Sequence, residues 1–226
     1  MTLPVPSTAP YPVMVRRALS ADDATRLVGH HAQPHDPTVG AATIARDATT
    51  GAPVFAYLPV PGGVAELRAA VLATPWHHTL RGSRALVVWA GRLRAALRAA
   101  LPEVVDHDET QAQRVHPRWR LGASEPWSSA VVNRTVALPY HRDSYRLPVW
   151  SAMPILRRGM SGGHLHLPEY ATTLPCRDGW AVFLPGHALV HGVTPMRPTR
   201  EGGYRITVVY YPAHLPPPNR VLQGVQ

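Results

Sequence analysis

Residues 128–211 break into six short runs rich in β-branched and aromatic residues: AVVNRTVAL, PVWSAMPIL, GHLHLPEY, GWAVFLP, ALVHGV and YRITVVYY. Each has the length of a strand and is closed by Gly, Pro, Asp or an Arg-rich break. Six such strands in under 90 residues predict a sandwich or barrel rather than an open parallel sheet. The 25 prolines and 17 glycines of the 226-residue chain agree, since they demand many turns and short elements.

Upstream, the periodicity changes. Ser20 followed by Asp22 and Asp23 predicts an N-capped helix reaching about His30. Residues 63–73 and 84–100 carry apolar side chains three and four apart, with Leu93, Ala96, Leu97 and Leu101 on one stripe. The expected fold class is α+β: a double-stranded β-helix (jelly-roll or cupin-like) core in the C-terminal half, buttressed by N-terminal helices. The chain is read as one domain over residues 1–226: an extended arm over 1–13, a mainly helical part over 14–127, the core over 128–211 and a proline-rich tail over 212–226.

His141 and Asp143 lie two apart on an extended segment, so both side chains point the same way. His191 follows 48 positions later, just past a Pro185-Gly186 turn that can return the chain to the barrel mouth. Two imidazoles and a carboxylate on one face of a metal are the ligand set of non-haem iron(II) oxygenases, whose opposite face stays open. Arg205 comes 14 positions after His191, on a strand whose period of two puts Thr207 on the same face. A guanidinium buried in a small barrel requires an anionic partner, and a dicarboxylate co-substrate supplies one through a bidentate pair. Thr207 would add a hydrogen bond.

These residues resemble the 2-oxoglutarate- and iron(II)-dependent dioxygenases, whose double-stranded β-helix carries an HxD...H triad and a C-terminal arginine. The segments YHRDS, SGGHLHLPEY, GWAVFLPGHALVHGV and YRITVVYY look most like the TET/JBP branch, which hydroxylates the methyl of 5-methylpyrimidines in nucleic acid. The resemblance implies iron(II) on His141, Asp143 and His191, 2-oxoglutarate anchored by Arg205 and Thr207, and dioxygen as the oxidant. It also implies DNA carrying a methylated pyrimidine as partner. Where that branch has a base-contacting asparagine, the aligned position here is Arg146. Asn133 is the candidate substitute, and Tyr145, Trp150 and Trp180 are candidates to stack on an extruded base.

Charge fits an anionic partner. All 23 basic residues are arginine; residues 1–110 hold 10 of them against 9 acids (net +1), and residues 111–226 hold 13 against 5 (net +8). The lone cysteine, Cys176, excludes an intramolecular disulfide and points to an intracellular, cytoplasmic protein. No segment reaches the ~20 apolar residues of a membrane span.

Three other readings compete. A cupin-type site would use His164, His166 and Glu169 with His191, although the spacing is one residue short of that motif. A hydroxylase of small molecules, such as natural products or free amino acids, would carry the same triad without affinity for DNA. A non-enzymatic basic module would bind DNA without iron or 2-oxoglutarate.

Overall fold

Alternating burial along the longest strands sorts the molecule into layers. In the computed structural model, which describes residues 9–60, 64–73, 84–122, 125–145 and 147–213, the chain runs in order through β1 (Tyr11–Val15), α1 (Ala21–Thr25), β2 (Thr43–Asp47), β3 (Pro53–Pro59), α2 (Ala65–Leu72), α3 (Arg84–Ala100) and α4 (Pro102–Ala112). The second half follows with β4 (Ser129–Arg134), β5 (Ser151–Arg158), β6 (Met160–Gly162), β7 (Leu165–Leu167), β8 (Thr172–Leu174), β9 (Trp180–Leu184), β10 (Gly192–Val193), β11 (Met196–Pro198) and β12 (Tyr204–Tyr211). Seven strands form the main sheet in the order β1-β2-β3-β9-β5-β12-β4; β10-β7-β8 and β11-β6 form two small sheets. The main-sheet pairs are antiparallel apart from the parallel β1–β2 pair at the edge.

Strand β12 shows how the period of two builds the site. Ile206, Val208 and Tyr210 face the helices, in one core with Trp89, Leu93 and Leu97 of α3, Leu101, and Val105 of α4. Val209 belongs to the opposite core, with Phe55, Met153, Val182 and Leu184 of the main sheet and Leu165, Leu167 and Leu174 of the small one. Arg205 and Thr207 share the parity of Val209 and are buried on that inner side. This is the expected double-stranded β-helix, with helices on one face.

The N-terminal part adds three strands to the helices expected there, the first of them starting inside the stretch read as an extended arm. β1 starts at Tyr11, and β2 and β3 extend the main sheet. β2 alternates buried and half-exposed residues in the strand pattern. The hairpin to β3 is locked by Asp47, whose Oδ1 accepts from the backbone N–H groups of Thr49 and Thr50, both at 2.9 Å. Helix α1 does start at the Ser20 cap, whose hydroxyl accepts from the Asp23 N–H at 3.0 Å, but ends at Thr25. Most of the proline-rich tail lies outside the described residues. Among the described residues, no helix is long and apolar enough to cross a membrane.

Asp108 of α4 ties this layer to the core. Only 1% exposed, it accepts from the Trp150 N–H at 3.2 Å, and burial pushes its carboxyl up from 3.8 to about 7. A carboxyl raised in the folded state contributes stability that is present below its unfolded pKa and lost as pH climbs through about 7. Asp108→Asn keeps an acceptor for Trp150 without the charge. Its melting temperature relative to wild type should therefore rise between about pH 5 and about pH 8. A pH-independent difference would contradict this role.

Candidate active site

Two histidines meet through the backbone before they meet through their rings. His141 and His191 form an antiparallel bridge, N–H to carbonyl in both directions, at 2.9 and 3.0 Å. Each ring then places Nδ1 against the carbonyl two residues upstream, Pro139 at 2.8 Å and Leu189 at 2.9 Å. A carbonyl can only accept, so Nδ1 carries the proton in both rings and each Nε2 presents a lone pair. Burial pushes the His191 imidazole below its ordinary pKa, against the pull of the Asp143 carboxylate, which keeps it neutral.

Asp143 completes the group. Its Oδ1 is 3.8 Å from His141 Nε2 and 3.7 Å from His191 Nε2, and one ligand atom from each residue lies within 4.8 Å of the others. The carboxylate is held from two sides: its backbone N–H donates to the Gly186 carbonyl at 2.9 Å, and the Ser151 hydroxyl donates to Oδ2 at 3.0 Å. Tyr145 extends the chain, its hydroxyl 2.8 Å from that of Ser151. Gly186 is required by proximity, because a Cβ there would overlap Asp143 Oδ2. Two imidazoles and a carboxylate on one side of a point fit a ferrous ion. Among the described residues, this is the one such cluster.

The triad opens on a cavity of about 290 Å³ that also reaches Arg205, Thr207, Asn133, Tyr145 and Tyr211. Arg205 is 4% exposed, donates to the Gly163 carbonyl at 3.2 Å and the Thr207 hydroxyl at 3.4 Å, and has no carboxylate within ion-pair distance among the described residues. A buried cation with an open cavity before it fits the distal carboxylate of a 2-oxo diacid. Its backbone is clamped as well: Thr135, at a positive φ of 53°, donates its N–H to the Arg205 carbonyl at 2.6 Å and accepts from the Arg205 N–H at 3.3 Å.

The remaining candidates are scattered. Trp150 does not line the cavity; it is packed on the helix side, where its carbonyl accepts from the Trp127 indole at 2.7 Å. Trp180 also stands off the cavity, stacked on Tyr57 with ring centres 4.6 Å apart and capped by Arg177. Arg146 lies outside the described residues. The cupin set does not assemble around His191. His164 Nδ1 accepts from the Cys176 N–H at 3.0 Å, and His166, pushed down to about 4 by burial, pairs with the Tyr140 hydroxyl at 2.6 Å. Glu169 is not part of the cluster that holds His191 and accepts from the Val190 N–H at 3.2 Å.

Sequence reasoning missed Ser151 and Tyr211. Ser151 had no signal beyond its place in a strand. Tyr211 shares the face of Arg205 and Thr207 on β12, so the period of two points to it; its ring stacks 6.3 Å from that of Tyr145 beside the triad.

No protein-family model matches the sequence, and no curated protein matches it. Among solved structures, NgTET1 in complex with 5mC DNA superposes with a TM-score of 0.56 at 13% identity, covering 85% of this chain and 90% of that one. A viral collagen prolyl hydroxylase from Paramecium Bursaria Chlorella virus-1 follows at 0.46 and 11% identity, covering 80% of this chain and 97% of its own. At these identities the likeness concerns the fold. The chain has the double-stranded β-helix fold of the 2-oxoglutarate-dependent dioxygenases, in an arrangement it shares with NgTET1.

Proposed function

We propose that this protein is an iron(II)- and 2-oxoglutarate-dependent dioxygenase that hydroxylates the methyl group of a 5-methylpyrimidine, 5-methylcytosine or thymine, in DNA. The observation that carries the reaction class is one cavity joining a His-Asp-His cluster to a buried arginine that has no carboxylate partner among the described residues. When bound, iron(II) with 2-oxoglutarate and dioxygen supplies an oxidant strong enough to hydroxylate an unactivated C–H bond, with succinate and carbon dioxide as by-products. The protein's own residues do the rest. His141, Asp143 and His191 hold the ion, with the Pro139 and Leu189 carbonyls fixing the ring tautomers. Arg205 and Thr207 orient the dicarboxylate. Tyr145 and Tyr211 offer aromatic faces beside the triad for a planar ring, and Asn133 offers an amide for its edge.

Support for DNA comes from three sides: the basic second half, the aromatic pair in the cavity, and the likeness to NgTET1, which was solved with 5mC DNA. The experiment is anaerobic loading with iron(II) and 2-oxoglutarate, exposure to air with 5-methylcytosine-bearing DNA, and mass spectrometry of the digested nucleosides. 5-Hydroxymethylcytosine is expected. Unchanged nucleosides, and no salt-dependent DNA binding, would sink the DNA assignment and leave a small-molecule hydroxylase.

Gly186→Ala tests the architecture of the site. The added methyl must displace the Asp143 carboxylate, so metal affinity should fall about 10- to 100-fold with the melting temperature of the metal-free protein little changed. Unaltered affinity would mean that Asp143 does not bind the ion in this position.

A further inference from the structure

Glu169 is buried to 2% exposure and takes no part in the triad or the cavity. It sits in a single 3-10 turn, Pro168–Tyr170, that ends at Ala171 with φ +45°, a left-handed conformation that costs a non-glycine residue energy. That turn aims the carboxylate inward, and its two oxygens face different parts of the chain. Oε2 accepts from Arg17 Nη1 at 3.0 Å, while the Glu169 carbonyl accepts from the Ala18 and Leu19 N–H groups at 2.7 and 3.3 Å. Oε1 accepts from the Val190 N–H at 3.2 Å and lies 3.8 Å from Arg142 Nη2.

The neighbours of Oε1 are the informative ones. Val190 directly precedes His191, and Arg142 directly follows His141. Arg142 is itself fixed, donating to the Ala188 carbonyl at 3.0 Å and the Thr25 hydroxyl at 2.8 Å. One buried carboxylate thus touches both segments whose pairing sets the two imidazoles side by side. We propose that Glu169 is a positioning residue for the metal centre, holding the His141 and His191 segments in register from behind. This rests on the proposed metal site but adds a residue the reaction does not use. The other charged groups of the cluster are Arg17 and Asp47, which stand 3.6 Å apart on the Oε2 side, away from the histidine segments.

Titration with cobalt(II) alone, followed by its visible d–d absorption, tests the role without turnover. Glu169→Gln keeps an acceptor for Val190 but loses the charge that holds Arg142; cobalt affinity should fall about tenfold or more, with an altered band shape. Arg142→Gln, which removes the same contact from a half-exposed side chain, should weaken cobalt binding too and serves if Glu169→Gln does not fold. Arg17→Gln breaks the Oε2 pair and the neighbouring Arg17–Asp47 pair, both away from the histidine segments, and should lower the melting temperature while leaving cobalt affinity unchanged. Wild-type affinity and spectrum in Glu169→Gln, or in Arg142→Gln should the former not fold, overturn the proposal. Failure of the wild-type protein to bind cobalt overturns the metal site itself, and this role with it.

Discussion

Replacing Asp143 by alanine abolishes iron-dependent release of succinate and leaves the fold intact. Asp143 is the one carboxylate in the cluster, lying 3.7–3.8 Å from both imidazole Nε2 atoms. Its loss leaves two neutral nitrogen ligands, which hold a ferrous ion poorly and no longer define one face of it. Stability should change little, because Ser151 keeps Tyr145 as a hydrogen-bond partner and the Asp143 N–H to Gly186 bond is backbone. Succinate measured by mass spectrometry, beside circular dichroism of the same sample, checks both halves. Full turnover in Asp143→Ala would end the assignment of the triad.

Arg205→Ala weakens 2-oxoglutarate far more than iron. Truncating one side of a buried, hydrogen-bonded charge pair costs about 2–5 kcal/mol, on the order of a 30-fold loss of affinity or more. The ion should be spared, since Arg205 is no ligand and its side chain donates, among the described residues, to Gly163 and Thr207. Separate titrations of iron(II) and of 2-oxoglutarate make the comparison. Equal 2-oxoglutarate affinity in wild type and variant would remove Arg205 from its role.

Local periodicity made part of this molecule legible and long-range pairing hid the rest. Helix α3 occupies the residues its apolar stripe marked, with Leu93 and Leu97 buried in the helix-side core. All six runs read as strands in the second half contain strand residues. By contrast β6, β8 and β11 are three-residue strands, too short for any period to show, and β2 and β3 were hidden by proline and polar neighbours although Asp47 and Gly51 mark the hairpin between them. At the site, His141 and Asp143 followed from the period of two, and Arg205 with Thr207 likewise. What fixes them did not: Ser151 reaches Asp143, and Glu169 reaches Val190, only because distant segments lie side by side. Trp150 misled as an aromatic close to the motif. Its neighbour Ser151 turns to Asp143, while Trp150 packs towards the helices.

The most direct measurement is an anaerobic titration of the iron(II)-loaded protein with 2-oxoglutarate, followed by the visible charge-transfer band that arises when a 2-oxo acid chelates ferrous iron. A band saturating at one equivalent in wild type, absent in Asp143→Ala and shifted to higher 2-oxoglutarate concentration in Arg205→Ala, is the predicted result. No band in the wild-type protein, or the same band in all three proteins, would contradict an ion held by His141, Asp143 and His191 beside a carboxylate held by Arg205.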